Sequence, residues 1–496
     1  MEKQPAKMNY FFRGGYVELW CTIRSSFEKL GENISDAWDD VSIYFSDFWD
    51  SFWPSIGDII HLEADWDELF EAAGSICKFS FSLGKLILVL AITPALTIAF
   101  SLLHIMILFP IMLLAYTAFL LLLAADGIYC GIKKISSNCS NPNCQDHFLL
   151  PHYKCPFCGA IHTRLRPSRY GIWKRTCECG QKLPTTFFNG RQKLDAFCPN
   201  PRCGFPIKDG GMHRDICIPV VGGPSSGKTC FINAAITQIE RSAKKYGLLY
   251  EYSPSSSDDY KINSKNMSRG RLPDKTNEMR LKYYQFYLRN SEKDLKHLIS
   301  LCDIGGEVYS DSAALGDQIG YRYANAFVMV IDPLSIVKFR NSVRKKSLRP
   351  EAYNYSVLSI DEILSRLIVT LENMYCISSK DMLRTDVAVV FTKCDIPGIE
   401  NIIGENAVNA YIAANPGCSR YAAQNAVCEK FLRDYNEVNF MNSLKSKFKT
   451  LQFFVCSALG HNADGSPFYS FGVDKPVLWL IDRISVPINL KGKLGE

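Results

Sequence analysis

At 496 residues the chain exceeds one compact domain and suits two to four. A net charge of +6 and a 47 % hydrophobic share point to neither nucleic acid nor an acidic substrate. Met1 to Phe12 holds two lysines but no apolar run, so no secretory leader is expected.

Residues 1–74 form the first region and carry three acidic side chains for every basic one. Trp20, Trp38, Trp49, Trp53 and Trp66 lie there, and Asp36–Trp53 alternates aromatic and acidic residues at near-helical spacing. This pattern predicts amphipathic helices. Two readings fit equally: an interfacial segment beside a membrane, where Trp and Tyr suit the headgroups, or a small helical domain or oligomer contact. The acidic face speaks against simple adhesion to anionic lipid.

From Leu86 to Ala125 no residue carries a formal charge, and His104 is the only side chain that titrates near neutral pH. As one straight helix this stretch would be about 60 Å long, roughly twice the hydrocarbon thickness of a bilayer. A transmembrane helical hairpin within 75–130, turning at Ser101 to His104, is therefore expected. Pro94 and Pro110 then fall inside the spans, where membrane helices tolerate proline. Lys78 and Lys85 precede the run and Lys133 and Lys134 follow it, which predicts two crossings with both termini in the cytoplasm.

Nineteen cysteines occur, eight of them in close pairs between Cys139 and Cys203. The others stand singly among apolar neighbours and read as small buried hydrophobes, which fits a reducing compartment. The paired ones define a cysteine-rich module at 135–210. Its inner pairs, Cys155/Cys158 and Cys177/Cys179, read Cys-Pro-Phe-Cys-Gly and Cys-Glu-Cys-Gly, two tight turns of a zinc ribbon. The outer pairs, Cys139/Cys144 and Cys198/Cys203, resemble one another and are assigned to a second zinc. Four thiolates leave no position for water, so structural Zn2+ is expected. Arg164, Arg166, Arg169, Lys174 and Arg175 lie between the inner pairs with Tyr170 and Trp173. Such residues can bind nucleic acid, but a solvated loop face is preferred and no nucleic-acid partner is expected.

Asp215-Ile-Cys-Ile-Pro-Val-Val reads as a short strand running into Gly222-Gly223-Pro224-Ser225-Ser226-Gly227-Lys228-Thr229, with a helix from Cys230 to Lys245. Strand, glycine-rich loop and helix are the context of a phosphate-binding loop. The glycines let backbone amides wrap phosphates, and the helix start adds partial positive charge. Lys228 is placed on the β- and γ-phosphates and the Thr229 hydroxyl on Mg2+. Three strand ends follow. Leu298 to Cys302 leads into Asp303-Ile-Gly-Gly306-Glu307, where Asp303 holds Mg2+ through water and the Gly306 amide meets the γ-phosphate. Val387 to Phe391 leads into Thr392-Lys393-Cys394-Asp395, whose last carboxylate can accept from guanine N1 and N2, which adenine cannot supply. Phe453 to Cys456 leads into Ser457-Ala458-Leu459, a place for a backbone amide to meet guanine O6.

With these motifs the chain resembles Ras-like P-loop GTPases of the translation-factor-related class, and the Asp-Ile-Gly-Gly-Glu stretch is similar to the ADP-ribosylation-factor and heterotrimeric-G-protein pattern. The overall match is nearest to the bacterial double-GTPase type of domain, proposed for conflict and defence systems. The resemblance spans 213–490 and implies an α/β fold with a mostly parallel sheet, and GTP hydrolysis to GDP as a conformational switch. Family members carry glutamine at the position of Glu307 to orient water, so hydrolysis here is expected to be slow and to depend on an activating partner or effector. Thr276 is the favoured switch-one threonine, with catalytic and Mg2+ roles. Arg269 and Arg271 are candidates for a charge-neutralising arginine. A rival reading makes Asp332, at the end of Phe327–Ile331, the magnesium carboxylate of an ATPase. Another makes the chain a nucleotide-binding membrane scaffold with little hydrolysis.

Overall fold

The computed structural model describes all residues except 1–3, 62–65, 134, 136, 140, 142–143, 145, 212, 254–258, 274–281, 293, 304–322, 346–348, 377–382, 462–465, 485–487, 489 and 491–496. The chain divides into two compact units, one of residues 1–129 and 155–191, the other of 130–154 and 192–496.

In the first unit two long helices dominate, α1 (Gly14–His61) and α2 (Trp66–Ile132). They run antiparallel. The Phe12 ring meets Tyr116 and Phe119, Lys85 pairs with Asp40 at 2.5 Å, Phe48 stacks on Phe79, and Ser51 bonds Ser75 at 2.7 Å. Along α1 the less exposed positions, among them Leu19, Ile23, Ser26, Leu30, Ile34, Ala37, Val41, Tyr44 and Phe48, recur at three- and four-residue steps. That repeat is the seam of a paired helix.

The expected hairpin within 75–130 is not present: α2 continues without a turn through Ser101 to His104. The physical reason lies in that tetrapeptide, which holds neither glycine nor proline and so has nothing to reverse a helix. Nearby hydroxyls support the helix instead; Thr97 Oγ1 donates to the Thr93 carbonyl at 2.8 Å. At 67 residues α2 is about 100 Å long. With α2 continuous, neither the two crossings nor the cytoplasmic placement of both termini, which the flanking lysines suggested, is supported.

The remainder of the first unit is the inner cysteine module. Residues near the start of the chain line its edge, with Lys7 N donating to Thr176 O at 2.9 Å and Glu178 N to Pro5 O at 3.1 Å. Asp126, in the last turns of α2, is fully buried against the equally buried Arg191 at 3.1 Å and accepts from the Phe187 amide. Arg191 also donates to the carbonyls of Leu165 and Thr185. A buried pair of charges is tolerated only with such additional hydrogen bonds.

In the second unit a seven-stranded sheet is built from β1 (His213–Val221), β2 (Leu249–Tyr252), β3 (Lys282–Arg289), β4 (Lys296–Asp303), β5 (Ala326–Ile331), β6 (Leu383–Phe391) and β7 (Phe448–Val455), in the order β2-β3-β4-β1-β5-β6-β7. β4, β1, β5, β6 and β7 are mutually parallel; β2 and β3 extend the edge antiparallel. Apolar side chains alternate between two cores. Cys217, Val221, Phe327, Met329, Val387, Val389 and Phe453 face one, and Ile216, Ile218, Val220, Val328, Val330, Val390 and Phe454 the other. Burial on both faces explains why these strands read as unbroken apolar runs.

The first core is covered by α5 (Val337–Lys345), α6 (Ile360–Tyr375), α8 (Arg420–Asp434) and α9 (Val438–Lys447), with α7 (Glu405–Ala414) beyond. The second is covered by α3 (Lys228–Ser242), α4 (Asp259–Met267) and α10 (Asp474–Ile484). α6 shows why such segments fold as they do. Ser359 caps its start by accepting from Glu362 N at 3.1 Å, and Ile360, Ile363, Leu364, Leu367 and Leu371 form one buried stripe. The sheet is thus mixed α/β and mostly parallel. Its strand order reverses at β1, so the carboxyl end of β1 opens at a switch point, where parallel sheets bind ligands.

Candidate nucleotide and metal sites

β1 ends at Val221 and the loop Gly222–Gly227 turns back into α3. Ser225 and Gly227 take left-handed φ values of 58° and 92°. A Cβ on Gly222 would lie 2.6 Å from the Val330 carbonyl, so that position admits only glycine. The loop therefore places the amino end of α3, with its partial positive charge, at the carboxyl edge of the sheet. Lys228 curls back over the loop, its Nζ donating to Gly222 O at 3.0 Å and Gly223 O at 2.9 Å. Burial pushes its ammonium down to about 8, against the opposing pull of Asp303. Thr229 Oγ1 donates to Asp303 Oδ2 at 2.7 Å, and Asp303, at the end of β4, is fully buried. A hydroxyl and a carboxylate converging beside a phosphate loop suit Mg2+, for which Thr229 and Asp303 are the available oxygen donors.

The next two motifs arrive from the neighbouring strand ends. Thr392 Oγ1 donates to Ser226 O at 2.8 Å, tying the end of β6 to the phosphate loop. Lys393, at a left-handed φ of 56°, sends Nζ to Ser225 O at 3.0 Å and to Asp332 Oδ2 at 2.7 Å. Cys394 N donates to Cys456 O at 3.3 Å, which sets the half-buried Asp395 beside the end of β7. There the Ser457 hydroxyl accepts from Leu459 N and Gly460 N, shaping the turn that carries Ala458 and Leu459. Pro224 and Cys230 complete the loop and the first turn of α3; burial raises the Cys230 thiol to about 11. Thr276, Gly306 and Glu307 lie outside the described residues. Arg269 and Arg271 follow α4, where the Arg269 and Arg271 amides both donate to Asn266 O.

Asp332 has other partners than Thr229. It is buried, accepts from Leu334 N at 2.9 Å and Ser356 N at 3.2 Å, and pairs with Lys393. The carboxylate bonded to Thr229 is Asp303, which argues against Asp332 as a magnesium ligand. The link from Asp332 to Lys393 was not foreseen from sequence, although the acid at a strand end was visible.

The eight paired cysteines gather as two groups, Cys155, Cys158, Cys177 and Cys179 in the first unit and Cys139, Cys144, Cys198 and Cys203 in the second, with all four sulfurs of each within 4.8 Å. Cys158 and Cys177 are 3.5 Å apart, Cys155 and Cys179 3.7 Å, Cys139 and Cys203 3.6 Å, and Cys144 and Cys198 3.8 Å. A tetrahedron with Zn–S of about 2.3 Å has S···S edges of about 3.8 Å, so both groups fit zinc. In the outer group the knuckles support each other: Asn141 donates to Cys203 Sγ at 3.4 Å and Asn200 to Cys144 Sγ at 3.5 Å. In the inner group, burial pushes the Cys155 thiol up, but the amides of Cys158 and Phe157 outweigh it and bring it to about 7.

Residues 216–440 match the family model Double-GTPase 2. No curated protein matches the chain. Among solved structures, Methanosarcina barkeri Roco2 RocCORdC bound to GDP is 12 % identical, covering 55 % of this chain and 49 % of that one, with a TM-score of 0.22. The S. cerevisiae Ski7 GTPase-like domain bound to GTP is 16 % identical, covering 56 % and 51 %, with a TM-score of 0.28. The chain spans about half the length of these structures, and at such TM-scores the likeness carries no argument about fold. Residues 216–440 thus carry a Double-GTPase 2 domain, and the motif geometry is consistent with a P-loop GTPase of that type.

Proposed function

We propose that this chain is a membrane-anchored GTP-binding protein that hydrolyses GTP to GDP and phosphate with Mg2+ and uses the cycle as a conformational switch. The observation that carries the reading is the meeting, at adjacent parallel strand ends, of the phosphate loop, Asp303 bonded to Thr229, and the Thr392–Asp395 loop bonded to Ser225 and Ser226. In this reading the amides of Gly222 to Cys230 and the Lys228 ammonium hold the phosphates. Asp395 selects guanine and the Ser457–Leu459 turn meets its O6. Thr229 and Asp303, with Thr276, would hold Mg2+, which would supply charge neutralisation at the phosphates. Gly306 is assigned to the γ-phosphate by its motif, and Glu307 takes the sequence position of the water-orienting glutamine. A carboxylate there cannot donate as an amide does, which fits slow turnover that an activating partner accelerates.

Zn2+ in both cysteine groups would be structural, since four thiolates fill a tetrahedral ion. The anchor is α2, whose most apolar stretch is only 11 % buried and so is unlike a core helix. The double-GTPase resemblance suggests a bacterial signalling or defence setting. The direct test is phosphate release from GTP by the full chain in detergent. Lys228→Ala should lower the rate about 100-fold or more. GTP binding with no release above the uncatalysed rate would instead favour a nucleotide-binding scaffold, and recovery of the chain in a soluble fraction after lysis would remove the anchor.

A further inference from the structure

Lys393 is more enclosed than its place in a base-recognition motif requires. Besides Ser225 O and Asp332 Oδ2, its Nζ lies 3.2 Å from Tyr353 O and 3.1 Å from Asn354 O. An ammonium has three hydrogens to donate, and here four oxygens from three separate segments surround it. One is the phosphate loop. The second is the end of β5, where Asp332 is fixed by the Leu334 and Ser356 amides. The third is the stretch between α5 and α6, where Asn354 adopts a left-handed φ of 43° that turns its carbonyl inward. That stretch is itself braced: Arg340 lies over the Tyr355 ring at 4.4 Å and donates to Leu334 O at 2.9 Å. Ser356, at its end, is buried so close to the phosphate loop that a Cβ on Gly223 would meet its Oγ at 2.3 Å.

We infer that Asp332 is a positioning residue for nucleotide binding: with the Tyr353–Ser356 segment it clamps Lys393 so that the phosphate loop and the base-recognition loop are held at a fixed spacing. A buried carboxylate left without its cation is costly, so Asp332 keeps the ammonium inward, and the ammonium keeps Ser225 in place. The segment between α5 and α6 is then a third wall of the nucleotide site. This inference rests on the nucleotide-binding reading, but not on the choice of guanine, because the clamp acts on the phosphate loop and not on Asp395.

The test is a double-mutant cycle on the full chain, using a fluorescent GDP analogue and its GTP and ATP counterparts. Asp332→Asn keeps an acceptor for Leu334 N and removes the charge. It should weaken GDP and GTP alike by about 10-fold to 100-fold and leave the preference over ATP intact. In a Lys393→Met background the same change should have almost no further effect. A purely structural role for Asp332 would instead weaken binding by the same factor in both backgrounds, and that result overturns the inference, as does an Asp332→Asn affinity within about 2-fold of wild type. If wild type prefers ATP, the guanine reading falls, and the cycle run with ATP still decides the clamp. If wild type binds no nucleotide, both fall.

Discussion

Gly223→Ala is the smallest change that reports on how tightly the phosphate loop is enclosed. The added methyl carbon would sit 2.3 Å from Ser356 Oγ, 3.1 Å from Ile363 Cδ1 and 3.5 Å from Ser356 Cβ. Carbon and oxygen do not approach to the first of these distances, so the loop or Ser356 has to move. Ser356 is 2 % exposed, its amide is held by Asp332, and its hydroxyl has no hydrogen-bond partner among the described residues. Overpacking of this kind costs about 1–3 kcal/mol. Falling on the binding-competent loop, that cost weakens nucleotide binding by about 5-fold to 150-fold. Ser356→Ala alone should be close to neutral, because it removes no hydrogen bond. The double variant loses the worst contact and keeps the tight one to Ile363, so it should return to within about 3-fold of wild type. Titration of each variant with a fluorescent GDP analogue, alongside thermal unfolding, gives the comparison. Wild-type affinity for Gly223→Ala, or an unrescued double variant, would refute the placement of Ser356 against the loop.

Other outcomes follow from the same geometry. Thr229→Ala should remove most of the strengthening of nucleotide binding by Mg2+ and lower phosphate release about 100-fold, read by titration with and without the ion. Metal analysis of the purified chain should find two zinc ions, and Cys155→Ser and Cys198→Ser should each remove one. Only the outer group shares a unit with the sheet, where His147 stacks on Tyr323 at 5.0 Å. Cys198→Ser should therefore lower the unfolding temperature of the nucleotide domain by about 5 °C or more, and Cys155→Ser should not. Burial holds the Lys228 ammonium down at about 8, and a phosphate bound beside it would favour the charged form. Affinity should then be level below about pH 8 and fall by up to tenfold per pH unit above it, with proton uptake on binding visible by calorimetry in two buffers.

The strand ends that carry the motifs were legible because each sits where an apolar run stops, and doubly buried parallel strands such as Ile216–Val221 and Val387–Phe391 are easy to find. Cysteine spacing likewise brought together the sets that the fold brings together. The double-GTPase resemblance read from these motifs is borne out by the family match over residues 216–440. The clamp was not legible. Asp332 and Lys393 are 61 positions apart, and a bond between two strand ends leaves no periodic trace. In the basic stretch from Val337, Arg340 and Arg344 are engaged locally with Leu334 O and Glu351. The misjudged element was α2. Its length suggested a reversal, but reversal needs a breaking residue, and Ser101-Leu-Leu-His104 supplies none. Ser101 and His104, with Thr93 and Thr97, instead fall on the less exposed side of one long helix.

Guanine recognition at this site can be read from the affinities of the full chain for GDP, GTP and ATP in wild type and in Asp395→Ala. Wild type should strongly prefer the guanine nucleotides, a preference lost in Asp395→Ala by about 100-fold, while the phosphate loop still binds weakly. Equal binding of ATP by wild type, with no change on Asp395→Ala, would contradict guanine recognition.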